Sequence, residues 1–169
     1  MKIGILSDTH DQIENIKKAV KLLNAENIEL VIHCGDWVSP FSLQYYKDLT
    51  CPIHGIFGNN DGDKFRHLER AKVYGVNVSY EDRFISTEID GKKIAVFHGD
   101  YEEIIDALLA SQMYDVVFHG HNHQKEIKTV GKTLSVNPGT FMDETSPSIK
   151  GASFAIYETQ SNSAHIIEL

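Results

Sequence analysis

Cysteine is scarce in this 169-residue chain: Cys34 and Cys51 are the only two, and they form no CxxC pair. Nothing here supports a secreted disulfide scaffold, and the expected address is a reducing cytoplasm. Long apolar runs are absent, which argues against a transmembrane helix. The first residues, MKIGILSDTH, lack the layout of a secretory signal, because their apolar stretch is short and leads straight into polar residues. Basic residues are outnumbered, 16 Lys and Arg against 24 Asp and Glu, for a net charge of −8. That balance disfavours nonspecific binding to nucleic-acid backbones, which needs basic surface. Internal repeats, low-complexity tracts and linkers are also missing.

What remains is an ordinary globular composition, 41% hydrophobic and 24% charged, and a length that fits one domain over residues 1–169. The first third alternates apolar runs with helical periodicity. Strands are expected at 2–7, 29–33 and 53–57, with helices at 12–24, 39–48 and 64–73. Ser39 is the candidate N-cap of the second helix, with Pro40 at its first position, and Gly75 follows the end of the third. Such alternation predicts a parallel sheet with crossover helices. The later sequence changes character. Asp90-Gly91, Gly131-Lys132 and the QSNS segment each separate two apolar runs and predict hairpins, while 102–111 is helical and 115–118 a buried strand. The fold class is therefore α/β with mixed sheets, two sheets face to face with helices outside. The polar stretch 141–150 reads as a surface loop.

The informative feature is where the metal-type residues fall. Asp8 and His10 follow KIGIL, Asp36 follows LVIHCG, Asn59 follows IHGIFG, His98 follows KIAVF, and His121 and His123 follow DVVFHG. Ligands of open α/β sheets bind outside the carboxyl ends of strands, so these residues are expected to converge on one edge. Carboxylates with imidazoles suit Mn, Fe, Zn, Ni or Co better than Ca or Mg. His33, His54, His67 and His165 have no such neighbours and read as ordinary structural histidines. HGHNH leaves His119, His121 and His123 competing for roles.

In order, SDTH (7–10), CGDW (34–37), GNND (58–61), HGD (98–100) and GHNH (120–123) resemble the signature blocks of the calcineurin-like metallophosphoesterases. The short length and NPGT (137–140) are similar to the small YfcE-type phosphodiesterase branch. The resemblance spans roughly residues 2–140. It implies a four-layer αββα sandwich and a metal-dependent phosphodiesterase acting on a small phosphodiester. It also implies two divalent transition-metal ions, Mn first, with Ni, Co, Fe or Zn as the other choices. By matching motifs, one ion takes Asp8, His10, Asp36 and His123. The other takes Asp36, Asn59, His98 and His121. Asp36 bridges them, and His119 is left out as a strand or supporting residue. Two dications bring four positive charges, and Asp8, Asp36 and a bridging hydroxide remove three, leaving one to attract a diester monoanion.

One position departs from the family pattern. Many members carry His after the Asn ligand, where it meets the substrate and assists the leaving group; this chain has Asn60. An amide hydrogen-bonds a phosphoryl oxygen, as Asn59 and Asn60 are both expected to do, but cannot act as a general acid. Asp61 reads as an orienting or turn residue, Lys64, Arg66, His67 and Arg70 as a solvated helix face, and Thr140 as the end of a turn that brings backbone near the site. Tyr45, Tyr46 or Phe141, if exposed, would mark a contact in a homo-oligomer. Two rivals are weighed. A protein-interaction scaffold of the retromer-subunit type has an eroded ligand set, whereas seven ligands are intact here. A β-lactamase-like metallohydrolase wants HxHxDH, and HGHNH runs into Gln124-Lys125 instead.

Overall fold

The apolar runs form two mixed sheets in a computed structural model that describes residues 1–143 and 151–169. In chain order the elements are β1 (Lys2–Leu6), α1 (Ile13–Ala25), β2 (Leu30–His33), a 3-10 helix (Pro40–Tyr46), β3 (Ile53–Gly55), α2 (Lys64–Tyr74), β4 (Val78–Tyr80) and β5 (Phe84–Ile89). There follow β6 (Lys92–Phe97), α3 (Glu102–Ser111), β7 (Val116–Phe118), β8 (Lys125–Val130), β9 (Thr133–Pro138), β10 (Ser153–Glu158) and β11 (Ser163–Glu168). The first sheet has the order β11-β10-β1-β2-β3-β4, with β1 to β4 parallel and β10 antiparallel to β1. The second has the order β5-β6-β7-β9-β8, with parallel β6, β7 and β9 and antiparallel edges.

Strand alternation sorts the core into three layers of packing. Ile3, Ile5, Ile32 and Tyr157 of the first sheet meet Ile94, Val96, Phe118 and Val136 of the second. On the outer face of the first sheet, Leu6, Val31 and Ile156 pack against Ile16, Ala19 and Leu23 of α1 and Leu43 of the 3-10 helix. On the outer face of the second, Ala95 and Val117 pack against Ile105 and Leu109 of α3. The spacing of Ile16, Ala19 and Leu23 gives α1 its apolar stripe, and full burial of each large aliphatic side chain contributes about 1.5 to 3 kcal/mol before entropy is counted. This is the four-layer αββα arrangement.

The turns follow local chemistry. Asp90 and Gly91 both take positive φ, 50° and 73°, as a two-residue hairpin with the right twist requires. Ser39 caps the helix after it by accepting from Phe41 N–H at 3.2 Å. That helix is 3-10 and ends at Tyr46, shorter than the 39–48 expected. The strand expected at 53–57 pairs only as far as Gly55, because Phe57 N–H turns to the Asp82 carbonyl. β4 was not expected; it is short and half-exposed, and among the described residues it pairs only with β3.

Burial corrects three expectations. Phe141 is fully buried on the α1 side of the first sheet, so the surface loop does not begin there, and residues 144–150 lie outside those described. Tyr46 is buried as well, which removes both aromatics as exposed contact markers, and Tyr45 is half-buried. His67 is buried among Trp37, Phe57 and Tyr80 rather than on a solvated face. No described helix is long and apolar enough to cross a membrane.

Candidate metal centre

The loops after β1, β2, β3, β6 and β7 bring all seven expected ligands to one edge shared by the two sheets. Asp8 is the clearest case. Its Oδ2 accepts from Ser7 Oγ at 2.6 Å and from His121 N–H at 2.9 Å. Its Oδ1 is buried with no hydrogen-bond partner among the described residues. That orphaned oxygen faces three ring nitrogens: His123 Nε2 at 3.3 Å, His10 Nε2 at 3.6 Å and His98 Nε2 at 4.0 Å. A buried carboxylate oxygen left without a donor costs stability unless something positive completes it.

A second set surrounds Asn59. Its Oδ1 lies 2.9 Å from His98 Nε2 and 3.0 Å from His121 Nδ1. His98 Nδ1 donates to the Cys34 carbonyl at 2.9 Å, which in the neutral ring leaves Nε2 as a bare lone pair. Two acceptors then face each other at hydrogen-bond distance, and a proton or a cation must lie between them. Asp36 Oδ2 is 3.4 Å from His98 Nε2 and 3.6 Å from His10 Nε2. Donor-atom spacing alone gives two groups, Asp8–His10–His123 and Asp8–Asp36–His98. They share Asp8, whereas the family pattern makes Asp36 the shared ligand.

Electrostatics agree with a cation site. Burial would raise the Asp8 carboxyl, but the facing His10 and His123 rings, the nearby His98 and the Ser7 hydroxyl hold it well below the usual carboxylate range. Burial likewise opposes ionisation of Asp36, yet His98 and the Asn60 amide groups bring it down to about 2. Against burial, these carboxylates raise His10 and His98. Without a cation the imidazoles are the groups that balance the two buried carboxylates.

Support comes from residues that hold loops rather than ligands. Asp61 accepts three backbone N–H groups: Asp36 at 2.9 Å and Gly58 at 2.7 Å on Oδ2, and Val38 at 2.8 Å on Oδ1. Buried His33 accepts Gly35 N–H at Nδ1, so its Nε2–H donates to Thr9 Oγ1 at 3.2 Å, and its ring stacks on Trp37. Thr140 Oγ donates to the Asp8 carbonyl, and Asn137 Nδ2 donates to the Gly120 carbonyl, so the NPGT turn braces two ligand loops. A Cβ at Gly58 would sit 2.1 Å from Asp36 Oδ1, and one at Gly120 would sit 1.8 Å from Ser7 Oγ. Both positions need glycine for this close approach. Asp8, His10, Asp36, His121 and His123 all have φ between 40° and 71°. Non-glycine residues there cost roughly 1 kcal/mol or more each.

Other expected residues lie elsewhere. His119 donates or accepts at Ser135 Oγ, 3.0 Å away, inside the second sheet. Lys64 pairs with Asp82, Arg66 with Asp63, and Arg70 lies over the Phe41 ring, each engaged locally. Asn60 donates from its N–H and its Nδ2 to the two oxygens of Asp36, at 2.9 and 2.7 Å.

The chain matches the calcineurin-like phosphoesterase superfamily domain over residues 1–162. It belongs to that superfamily. A protein named as a phosphodiesterase from Methanocaldococcus jannaschii is 42% identical over 139 residues, 82% of this chain and 83% of that protein. A solved structure described as a novel archaeal phosphodiesterase superposes with a TM-score of 0.90 at 38% identity, covering all of both chains. The E. coli phosphoesterase YfcE superposes with a TM-score of 0.74 at 13% identity over 99% of each chain, a likeness of fold.

Burial also makes part of the stability of this calcineurin-like fold sensitive to acid. It pushes His119 down to about 4, and lowers His33 and His67. Between pH 6.5 and about 4 the unfolded chain binds a proton that native His119 refuses. The stability this group contributes is therefore present above 6.5 and lost as pH falls toward 4. Urea unfolding midpoints at pH 7 and pH 5 are expected to differ less in His119→Gln than in the wild type.

Proposed function

We propose that the chain, acting as one domain over residues 1–169, is a metal-dependent phosphodiesterase with a binuclear centre. The observation that carries this is Asp8 Oδ1, buried, unpartnered among the described residues and facing imidazole nitrogens from three different loops. Family membership supplies the reaction class, and the phosphodiesterase relative at 42% identity favours diesters. Asp8, His10, Asp36 and His123 would hold one ion, and Asp36, Asn59, His98 and His121 the other. When bound, two divalent ions of the Mn, Ni, Co, Fe or Zn type would supply Lewis acidity toward phosphoryl oxygens and would make water acidic enough to ionise near neutral pH.

The chain's own residues do the rest. The Cys34 carbonyl holds the His98 Nδ1 proton and so presents Nε2 as the ligand atom. Asn59 contributes a neutral oxygen, which keeps net positive charge available for a diester monoanion. Asn60, exposed at the mouth of the site and tied to Asp36, has one remaining Nδ2 hydrogen to offer a phosphoryl oxygen but no ionisable proton for the leaving alcohol.

The direct test is metal analysis with turnover of bis(p-nitrophenyl) phosphate, after chelation and add-back of Mn, Ni, Co, Zn or Mg. Restored turnover is expected; a fully loaded protein inert toward every ester would favour the scaffold reading instead. Asn60→His is expected to raise rates on alkyl diesters on the order of a hundredfold, with little change on p-nitrophenyl esters whose leaving groups need no proton. Equal effects on both would show that residue 60 acts by binding alone.

A further inference from the structure

Beside the metal residues, the seam between α1 and the 3-10 helix holds two cavities that the ligand set leaves unused. The larger, about 420 Å³, has Lys17, Lys21 and Lys47 on its walls and Tyr45 and Val20 as apolar surface. The smaller, about 230 Å³, passes Phe41 and reaches Asp11, the neighbour of His10. Gln44 and Tyr45 line both, so the two adjoin in a groove whose near end is Asp11. From Ile13 to Asn24, α1 runs along it for about 16 Å at 1.5 Å per residue.

The chemistry of this groove differs from that of the whole chain. The protein carries −8, yet three lysines gather here, with Asp48 the one acid on the larger cavity's wall. Lys17 Nζ is held by Glu14 at 2.8 Å and lies 5.2 Å from the Tyr45 ring centre. Lys21 and Lys47 have no carboxylate partner among the described residues. Phe41 is half-exposed, with the Arg70 guanidinium 5.2 Å from its ring centre. Accessible aromatic surface interleaved with cations is how single-stranded nucleic acids are held: bases stack on rings and phosphates meet the cations.

We infer that the preferred diester is a short oligonucleotide. One phosphate sits at the metal residues, the neighbouring nucleotides lie along Phe41 and Tyr45, and a distal phosphate meets Lys21 and Lys47. This rests on the phosphodiesterase reading and narrows its substrate class. Water attacks the phosphorus at the metal end, one P–O ester bond breaks, and the leaving nucleoside oxygen takes a proton from solvent. The products are a phosphate monoester and a shorter alcohol. The groove is a narrow local track, so the acidic balance of the whole chain still opposes general binding to duplexes.

The test compares kcat/KM for tetrathymidylate, the dinucleotide TpT and bis(p-nitrophenyl) phosphate in the wild type and in the Lys21→Ala/Lys47→Ala double variant. The wild type is expected to prefer the tetramer over TpT about tenfold, the equivalent of one charge-assisted phosphate contact. The double variant is expected to lose that preference with bis(p-nitrophenyl) phosphate turnover unchanged. Turnover of the aryl diester with no tetramer preference, or a preference that survives in the variant, overturns the groove and leaves the phosphodiesterase reading standing. If no diester is cleaved, that reading fails. An NMR titration of the chelated protein with tetrathymidylate then decides the groove: shifts at the Lys21, Tyr45 and Lys47 amides keep it as an oligonucleotide site, and their absence removes it.

Discussion

Asp36→Ala is expected to lower phosphodiester turnover by at least a thousandfold, on the order of the loss of a major electrostatic element of a hydrolytic site. The reason is geometric. Asp36 Oδ2 lies within 3.6 Å of a ring nitrogen from each proposed metal set. If it is the shared ligand, elemental analysis should find both ions lost from Asp36→Ala. Asp8→Ala should then lose the ion held with His10 and His123 and keep part of the other. The opposite pattern, one ion retained in Asp36→Ala and none in Asp8→Ala, would make Asp8 the shared ligand, as the spacing of donor atoms alone suggests. Asp36 also anchors Asn60 through two hydrogen bonds, so the alanine variant frees the substrate-facing amide as well.

Asp61→Ala is expected to cost roughly 3 to 5 kcal/mol of folding stability, since it strands three backbone N–H groups at once. Asp61→Asn is no conservative escape. Both carboxyl oxygens accept here, and an amide NH2 in place of either would confront an N–H. Chemical unfolding with and without chelator separates the consequences. The stability loss should persist in the metal-free protein, and metal affinity should fall besides, because the Asp36 and Asn59 loops share this anchor. A variant of full stability that merely loses activity would show that Asp61 acts on substrate.

How much of this was legible beforehand differs from residue to residue. Each metal-type side chain could be located because it ends an apolar run, and a parallel strand has one carboxyl end. The Asp90-Gly91 hairpin was legible because both residues tolerate the left-handed backbone the turn demands. β4 was not: its three residues are half-exposed and carry no alternation long enough to detect. Phe141 was misplaced because the stretch from Asp143 to Lys150 is mostly polar or charged, while its own burial comes from α1 and the first sheet. Asp61 read only as an orienting or turn residue, since nothing in GNND tells that two amides of the distant Asp36 loop join its own Gly58 amide in pointing at it. The groove was hidden by averaging: a chain-wide charge says nothing of where four-residue spacing and tertiary packing bring Lys17, Lys21 and Lys47 together.

At five of the seven proposed ligands the backbone is left-handed. Those dihedrals are held by amide contacts, a stacked imidazole and the NPGT brace, all formed from the chain itself. Zinc fingers, by contrast, draw their folding free energy from the ion and collapse without it. Here the chain's own contacts predict a fold that survives chelation: the urea midpoint of the chelated protein is expected to stay close to that of the protein given metal, and unfolding on chelation would show that the proposed ions carry the architecture.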